Sequence, residues 1–476
     1  MPSAIPLSRT GGPLSRQIYQ WFRDSILRGT LRGRERLPST RELAERLQVS
    51  RTAVVLAYEH LLAEGFVAGR AGSGTFVAEG LSARRPAGRA STHKGRLSRF
   101  GAAMEAAAAS IVVPGKSPAP PRYDFSYGRS DVATFPFESW RRTLLRHARK
   151  SSRQLDYGPA AGSLALRHAI SVHLRRSRAV DCDPSQVIVV NGSQQALDLI
   201  VRVLVERGNR VAIEDPNYQG TREILRAAGA RLCPVPVDRD GIDTARLPAD
   251  ARVAFVTPSH QFPTGVVLTL ARRMALLDWS RRNDALIVED DYDGEFHCGA
   301  QPLESLQGLD SDGRVLYVGT FSRTIFAALR IGYLVVPPAL VATFSSAKWL
   351  CDRHTATLEQ EALAEFISTG MYERHLRRVR RRNTARRDVL LESVARYLGD
   401  RVEITGDGAG AHVVLWPRRQ VAENTVIGKA AARGVGVYGV SQYFVGKSRR
   451  SGLMLGFSRM KEAEIREGIR RLGEVL

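Results

Sequence analysis

The chain has 476 residues, 43% hydrophobic and 25% charged, a composition of soluble globular protein with room for two or three domains. Its net charge of +22 and pI near 10.5 point to a polyanionic partner, nucleic acid first. The widely spaced Cys182, Cys233, Cys298 and Cys351 exclude a disulfide scaffold or a cysteine metal site, and no apolar run of 18 residues or signal-peptide segment is seen; a cytoplasmic protein without a metal site or a membrane partner is expected.

The first 120 residues hold a net +10 and the remaining 356 a net +12, so the basic excess is concentrated at the start. Leu14, Ile18, Trp21, Phe22 and Ile26 recur at helical spacing. Leu37-Pro38-Ser39-Thr40-Arg41-Glu42-Leu43-Ala44 combines a proline with a capping pair that opens a second helix, facing Leu43, Ala44 and Leu47 inward. Val49-Ser50 turns into a third helix with Val54, Tyr58, Leu61 and Leu62 as its apolar face, ended by Gly65. Phe66-Val67 and Thr75-Phe76-Val77, on either side of Gly72-Ser73-Gly74, read as a two-stranded ribbon. Three helices and a hairpin make a winged helix-turn-helix over 1–78. The ordered pieces Leu-Pro-Ser-x-Arg-x-Leu-Ala, Val-Ser-Arg-Thr, Tyr-x-x-Leu-x-x-Glu-Gly and Gly-Ser-Gly-Thr-Phe-Val resemble the GntR family. A recognition helix enters the major groove by its N-terminus, which here carries Ser50, Arg51 and Thr52. Arg51 can grip guanine or phosphate, and the resemblance adds Arg41. The wing tip, Gly72 to Gly74, would approach the minor groove or backbone of double-stranded operator DNA. Ala53 stands where that family often has threonine.

Residues 79–121 are rich in Arg, Ala, Ser, Pro and Gly and read as a flexible linker, with a span of roughly 35 Å r.m.s. for a random coil. From about 122 short apolar strands alternate with helices: Val187–Val190, Arg210–Ile213, Val253–Val256, Leu286–Val288, Val315–Val318 and Ile331–Val335. That pattern implies an α/β sheet covered on both faces, followed from about 372 by a smaller α/β lobe. The run Arg374–Arg387 carries eight arginines and reads as the solvated face of a long helix.

The motif order over 122–476 resembles fold-type I aminotransferases, and most closely the MocR/PdxR regulators, which join a GntR winged helix to such a domain. The resemblance implies a pyridoxal 5′-phosphate (PLP) site and a homodimer. Ser193 and Gln194 open a helix after a strand, a natural phosphate seat. Thr320, Ser322 and Arg330 match further phosphate ligands, and Tyr157 matches a residue reaching the phosphate of a neighbouring subunit. Tyr218 matches the residue stacked on the pyridine ring, Asp290 the carboxylate paired with the pyridine nitrogen, and Tyr292 the donor to O3′. Arg459 matches the arginine that clamps a ligand carboxylate. Phe262 replaces an asparagine common in the enzymes.

The main departure is Arg323, seven residues before Arg330, at the position of the PLP lysine. A neutral lysine amine attacks an aldehyde; a guanidinium stays protonated and forms no Schiff base. No lysine occurs between Lys150 and Lys348 to replace it. The expectation is a transcription regulator whose aminotransferase-like domain senses PLP or an amino-acid-type effector without transamination, with PLP held noncovalently and RNA polymerase as a candidate partner. Two alternatives stand beside it: a PLP-dependent aminotransferase with a fused DNA-binding module, and a regulator sensing a non-PLP ligand.

Overall fold

In the first 80 residues apolar side chains from three helices and a ribbon close on one another. The computed structural model describes residues 5–8, 11–70, 72–80, 95–108, 121–149, 156–296, 304–446 and 450–476. It divides into two compact units, Met1–Arg96 and Leu97–Leu476.

In the first unit α1 (Leu14–Leu27) buries Ile18, Phe22 and Ile26 on one stripe. Helix α2 (Thr40–Leu47) starts in a capping box: Ser39 Oγ accepts the Glu42 N–H at 3.2 Å, and the Glu42 carboxylate accepts the Ser39 N–H. Gln48, at φ +52°, turns the chain into α3 (Arg51–Ala63). Val54, Ala57, Tyr58 and Leu61 are buried, and the Tyr58 hydroxyl donates to the Pro38 carbonyl at 3.0 Å. Leu62, expected on the inner face, is exposed; one residue past Leu61 the helix has turned about 100°. Strands β1 (Val67–Arg70) and β2 (Gly74–Val77) pair antiparallel from Val67↔Val77 to Arg70↔Gly74. Gly72 and Gly74 have φ of +73° and +107°, which glycine adopts without strain.

The second unit opens with α4 (Arg99–Ala108), inside the segment read as linker. Composition hid it because alanine gives a helix without an apolar stripe; Phe100 lies against the Arg202 guanidinium. Much of the remaining linker, 81–94 and 109–120, lies outside the described residues, as does Cys298. Next come β3 (Tyr123–Asp124), α5 (Phe137–Ala148) and α6 (Leu164–Arg178). Strand β4 (Val187–Val190), α7 (Ser193–Leu204), β5 (Arg210–Asp215), α8 (Gln219–Ala228), β6 (Arg231–Asp238), β7 (Gly241–Ile242), β8 (Val253–Val256), α9 (Leu270–Arg282), β9 (Leu286–Asp290), β10 (Val315–Thr320) and β11 (Gly332–Val335) follow. The eight strands stand in the order β4-β11-β10-β9-β8-β5-β6-β7. Strands β5, β6, β8, β9 and β10 run parallel, whereas β11 is antiparallel to both of its neighbours. The continuous apolar runs of β4, β8 and β11 are buried throughout, as a sheet covered on both faces requires.

Helices α10 (Val341–Asp352), α11 (Thr357–Ser368) and α12 (Met371–Tyr397) lead to the small lobe. There β12 (Val402–Thr405), β13 (His412–Pro417), α13 (Glu423–Ala432), β14 (Val435–Gly436), β15 (Tyr438–Gly439), β16 (Leu453–Gly456) and α14 (Glu462–Leu472) form an antiparallel sheet, β12-β13-β16-β15, with helices against it. The lobe reaches back to the start of the unit: β3 pairs with β14, and Tyr123 and Phe125 belong to its core. No helix among the described residues is long and apolar enough to cross a membrane.

Candidate functional site

Two groups of residues stand out, one in each unit. In the first, the α3 N-terminus is built by Ser50, whose Oγ accepts the Ala53 N–H at 3.3 Å. Its hydroxyl is thus engaged as a cap. Arg41, Arg51 and Thr52 are exposed, with no ion pair at either arginine among the described residues. Gly72 and Gly74 are exposed at the wing tip, and a Cβ on Gly74 would lie 3.1 Å from the Arg36 side chain.

In the second unit the site lies at the carboxyl ends of the sheet strands. Gly192 ends the turn from β4 into α7 at φ +83°; a Cβ there would fall 2.7 Å from the Arg330 guanidinium. Arg330 donates to the Asn191 carbonyl at 2.8 Å, which holds its charge against the free N–H groups of α7. The Tyr218 hydroxyl donates to Gln194 Oε1 at 3.1 Å, linking the ring to Ser193-Gln194. Across β10, Thr320 Oγ1 accepts the Ser322 N–H at 3.2 Å, while Ser322 Oγ is buried without a partner. Arg330, through Asn191, and Tyr218, through Gln194, thus meet the Ser193-Gln194 start of one helix, where an oxyanion is favoured.

Asp290 ends β9, buried, with one carboxylate oxygen unpartnered. Burial, then the negative charges of Asp291 and Glu214, push its pKa up to about 7, against the opposing pull of Arg323. Asp291 is bound instead to Arg178 at 2.8 Å and accepts from the Tyr317 hydroxyl. A buried, unpartnered carboxylate, an unpartnered serine hydroxyl and the α7 start held by Arg330 fit a phosphorylated ring carrying a protonated nitrogen.

Arg323 is mostly buried, its side chain 10% exposed. Its guanidinium lies 3.9 Å from the centre of the Tyr127 ring, and Nε is 3.7 Å from Asp293 Oδ1. Nη2 is buried and has no hydrogen-bond partner.

Tyr292, Tyr218, Tyr157 and Arg459, also expected at the site, have these surroundings. The Tyr292 hydroxyl donates to the His260 carbonyl at 2.7 Å, so its one proton is engaged within the protein. Tyr218 meets Phe262 edge-on, ring centres 5.8 Å apart. Tyr157 is 75% exposed beside Arg353 and His354, and Arg459 is exposed without an ion pair among the described residues. Sequence reasoning passed over Tyr127, Asn217, His260, Asp293 and His412. Tyr127 precedes Gly128, whose φ of +96° marks a special turn, and both Asn217 amide atoms are buried and unpartnered. His260 and Asp293 lie inside the runs Pro258–Gly265 and Ile287–Asp293, but an aromatic-facing histidine carries no signature by itself.

Residues 14–77 match the model described as bacterial regulatory proteins, gntR family, and residues 123–472 match aminotransferase class I and II. The chain is 40% identical over 467 residues to the probable rhizopine catabolism regulatory protein MocR of Rhizobium meliloti, covering 97% of this chain and 93% of that one. It is 31% identical over 452 residues to the pyridoxine biosynthesis transcriptional regulator PdxR of Corynebacterium glutamicum, 94% and 93% covered. Among solved structures, the α-aminoadipate aminotransferase LysN of Thermus thermophilus, in complex with N-(5′-phosphopyridoxyl)-L-leucine, superposes with a TM-score of 0.69 at 27% identity, covering 79% of this chain and 94% of that one.

Proposed function

We infer the function from one premise: the chain belongs to the MocR-type transcription regulators, a bacterial gntR-family domain joined to an aminotransferase class I and II domain. It is a DNA-binding regulator, and the regulator reading is favoured over a PLP-dependent aminotransferase with a fused DNA-binding module. The finer reading is ours. As a cytoplasmic homodimer, the protein contacts operator DNA through Arg41, Arg51, Thr52 and the Gly72–Gly74 wing, and Tyr157 serves the partner subunit's site. The second unit binds a phosphorylated pyridine ligand noncovalently and performs no transamination.

The observation that carries this reading is the contrast between Arg323 and its surroundings. Ser193, Gln194, Ser322 and Arg330 would hold the phosphate, Asp290 the ring nitrogen, and Tyr218 the ring. When bound, PLP supplies an electrophilic aldehyde and an electron-withdrawing ring. The chain's own residues bind and orient; the guanidinium of Arg323 moves no proton at neutral pH. Its fixed charge instead favours an anionic group, as on a phosphopyridoxyl amino acid of the kind bound in LysN. Arg459 would take a second carboxylate.

Two experiments test this. Incubation of the pure protein with PLP, then borohydride, should leave no cofactor attached, while equilibrium dialysis detects reversible binding. Covalent PLP on any residue of the wild-type chain sinks the reading. The Arg323→Lys variant should gain the covalent adduct. In a salt titration the wild type should bind operator-bearing DNA at low salt; a protein with no affinity there is not a regulator of this kind.

A further inference from the structure

We propose that His260, Asp293 and His412 form a binding site for a divalent transition metal of the zinc class, beside Arg323. The three residues are buried, and one ligand atom from each lies within 4.8 Å of the others. They come from three elements. His260 follows β8, Asp293 follows β9, and His412 opens β13 of the small lobe. A metal held by all three would therefore fasten the small lobe to the sheet.

Two of the three donors, on His412 and Asp293, are oriented by a contact of the kind that supports metal ligands, whereas His260 Nε2 is buried without a hydrogen-bond partner and its ring is held by packing. The other nitrogen of His412, Nε2, lies 2.8 Å from the Pro263 carbonyl. That bond puts the proton on Nε2 and leaves the Nδ1 lone pair bare, and Nδ1 is buried without a partner. Asp293 Oδ2 accepts the Ala411 N–H at 3.1 Å, and His260 Nδ1 lies 3.7 Å from that same oxygen. Tyr292 Oη is 3.2 Å from His260 Nδ1, but its proton goes to the His260 carbonyl at 2.7 Å. When Nδ1 is unprotonated, no donor reaches it. Backbone packs closely around the ring: a Cβ on Gly410 would lie 2.2 Å from His260, and one on Gly265 2.9 Å.

Two imidazoles and a carboxylate suit zinc and its neighbours, with bond lengths of about 2.0–2.2 Å and a fourth position open. Closing from 4.8 Å to a tetrahedral set requires side-chain movements of about an ångström. The opposing force is Arg323, whose Nε is 3.7 Å from Asp293 Oδ1. A fixed positive charge at that range weakens binding of a second cation. It makes a signed prediction: replacing Arg323 with a neutral side chain tightens the metal site.

The test uses the full chain, stripped with a chelator and dialysed into metal-free buffer. Zn2+ is titrated in competition with a chromophoric chelator, and Co2+ in parallel for its visible bands. The wild type should bind about one ion per chain, with Co2+ bands of nitrogen and oxygen ligation and no thiolate charge-transfer band. His412→Gln should weaken binding by about 100-fold or more, and Arg323→Met should tighten it by about tenfold or more. No ion in the wild type overturns the site. So does equal binding by His412→Gln, or a thiolate band, which would assign the ion to the cysteines. Arg323→Met, which deletes no ligand, keeps the proposal exposed if His412→Gln fails to fold; unchanged or weaker affinity in that variant overturns it. DNA binding, measured on the same samples, reports separately on the regulator reading.

Discussion

Arg51 and Arg323 are the same side chain in opposite surroundings. Arg51 stands exposed at the first residue of α3, with no ion pair among the described residues. Arg323 is mostly buried, stacked on Tyr127 and set beside Asp293. An exposed cation keeps its hydration and awaits a partner outside the chain. A buried one must be compensated inside it, or by a ligand that reaches it. The surface arginine therefore speaks for a macromolecule, and the interior one for a small anion.

The strongest test of that contrast is a buried arginine whose partner is fully in place. Arg178 donates to Asp291 at 2.8 Å in the sheet interior. Arg178→Met strands that carboxylate and should destabilise the second unit by about 3–5 kcal/mol in chemical denaturation, leaving the first unit's transition in place. A loss as small as that of a surface arginine would break the comparison.

Asp290 sharpens it through pH. Its pKa is raised to about 7 by burial first, so the folded state holds a proton that the unfolded chain releases near 4. Its contribution to stability is complete below that lower value and is lost as pH rises through about 7. Asp290→Asn removes this dependence. At pH 8 the variant should be more stable than wild type by about 2–4 kcal/mol, and the two should converge near pH 4. Thermal melts across that range check it. The same variant should lose affinity for a pyridinium ligand, so stability and binding move in opposite directions.

Arg51→Ala is expected to weaken operator binding by about 1–3 kcal/mol, with no change in melting temperature, by fluorescence anisotropy. If only phosphate is contacted, the loss is uniform across sequences and the salt slope falls by about one. Smallest is Ser39→Ala. Removing one half of the α2 capping box should cost about 1 kcal/mol of first-unit stability, read by hydrogen exchange in α2.

The first unit was legible because its signals are local. The capping box, the turn before Ser50 and the two wing glycines each follow from residues within a few positions of one another. The sheet was legible in part: β4 and β8 match the apolar runs residue for residue, since fully buried strands have no polar face to confuse the reading. Strand β6 was not expected, because Pro234 and Pro236 argue against a strand interior; it is tolerated next to the short outermost strand β7. The pocket divides the same way. Ser193 and Gln194 declare themselves by position at a helix start. Tyr127, His260, Asp293 and His412 meet only in three dimensions, from segments more than 280 residues apart at the extremes. Their grouping is a product of the fold, and no spacing rule could have assembled them.

One feature of the chain path has a mechanical meaning. Strand β3 is hydrogen-bonded into the small lobe through β14, and the Asp124 carboxylate accepts from Tyr438 at 2.7 Å. Three residues later Tyr127 covers Arg323 at the end of the sheet. Three residues stretch to about 10 Å at most, so this tether has almost no slack. The position of the tyrosine over the guanidinium is thereby tied to that of the small lobe, as a short strap ties a cover to its hinge.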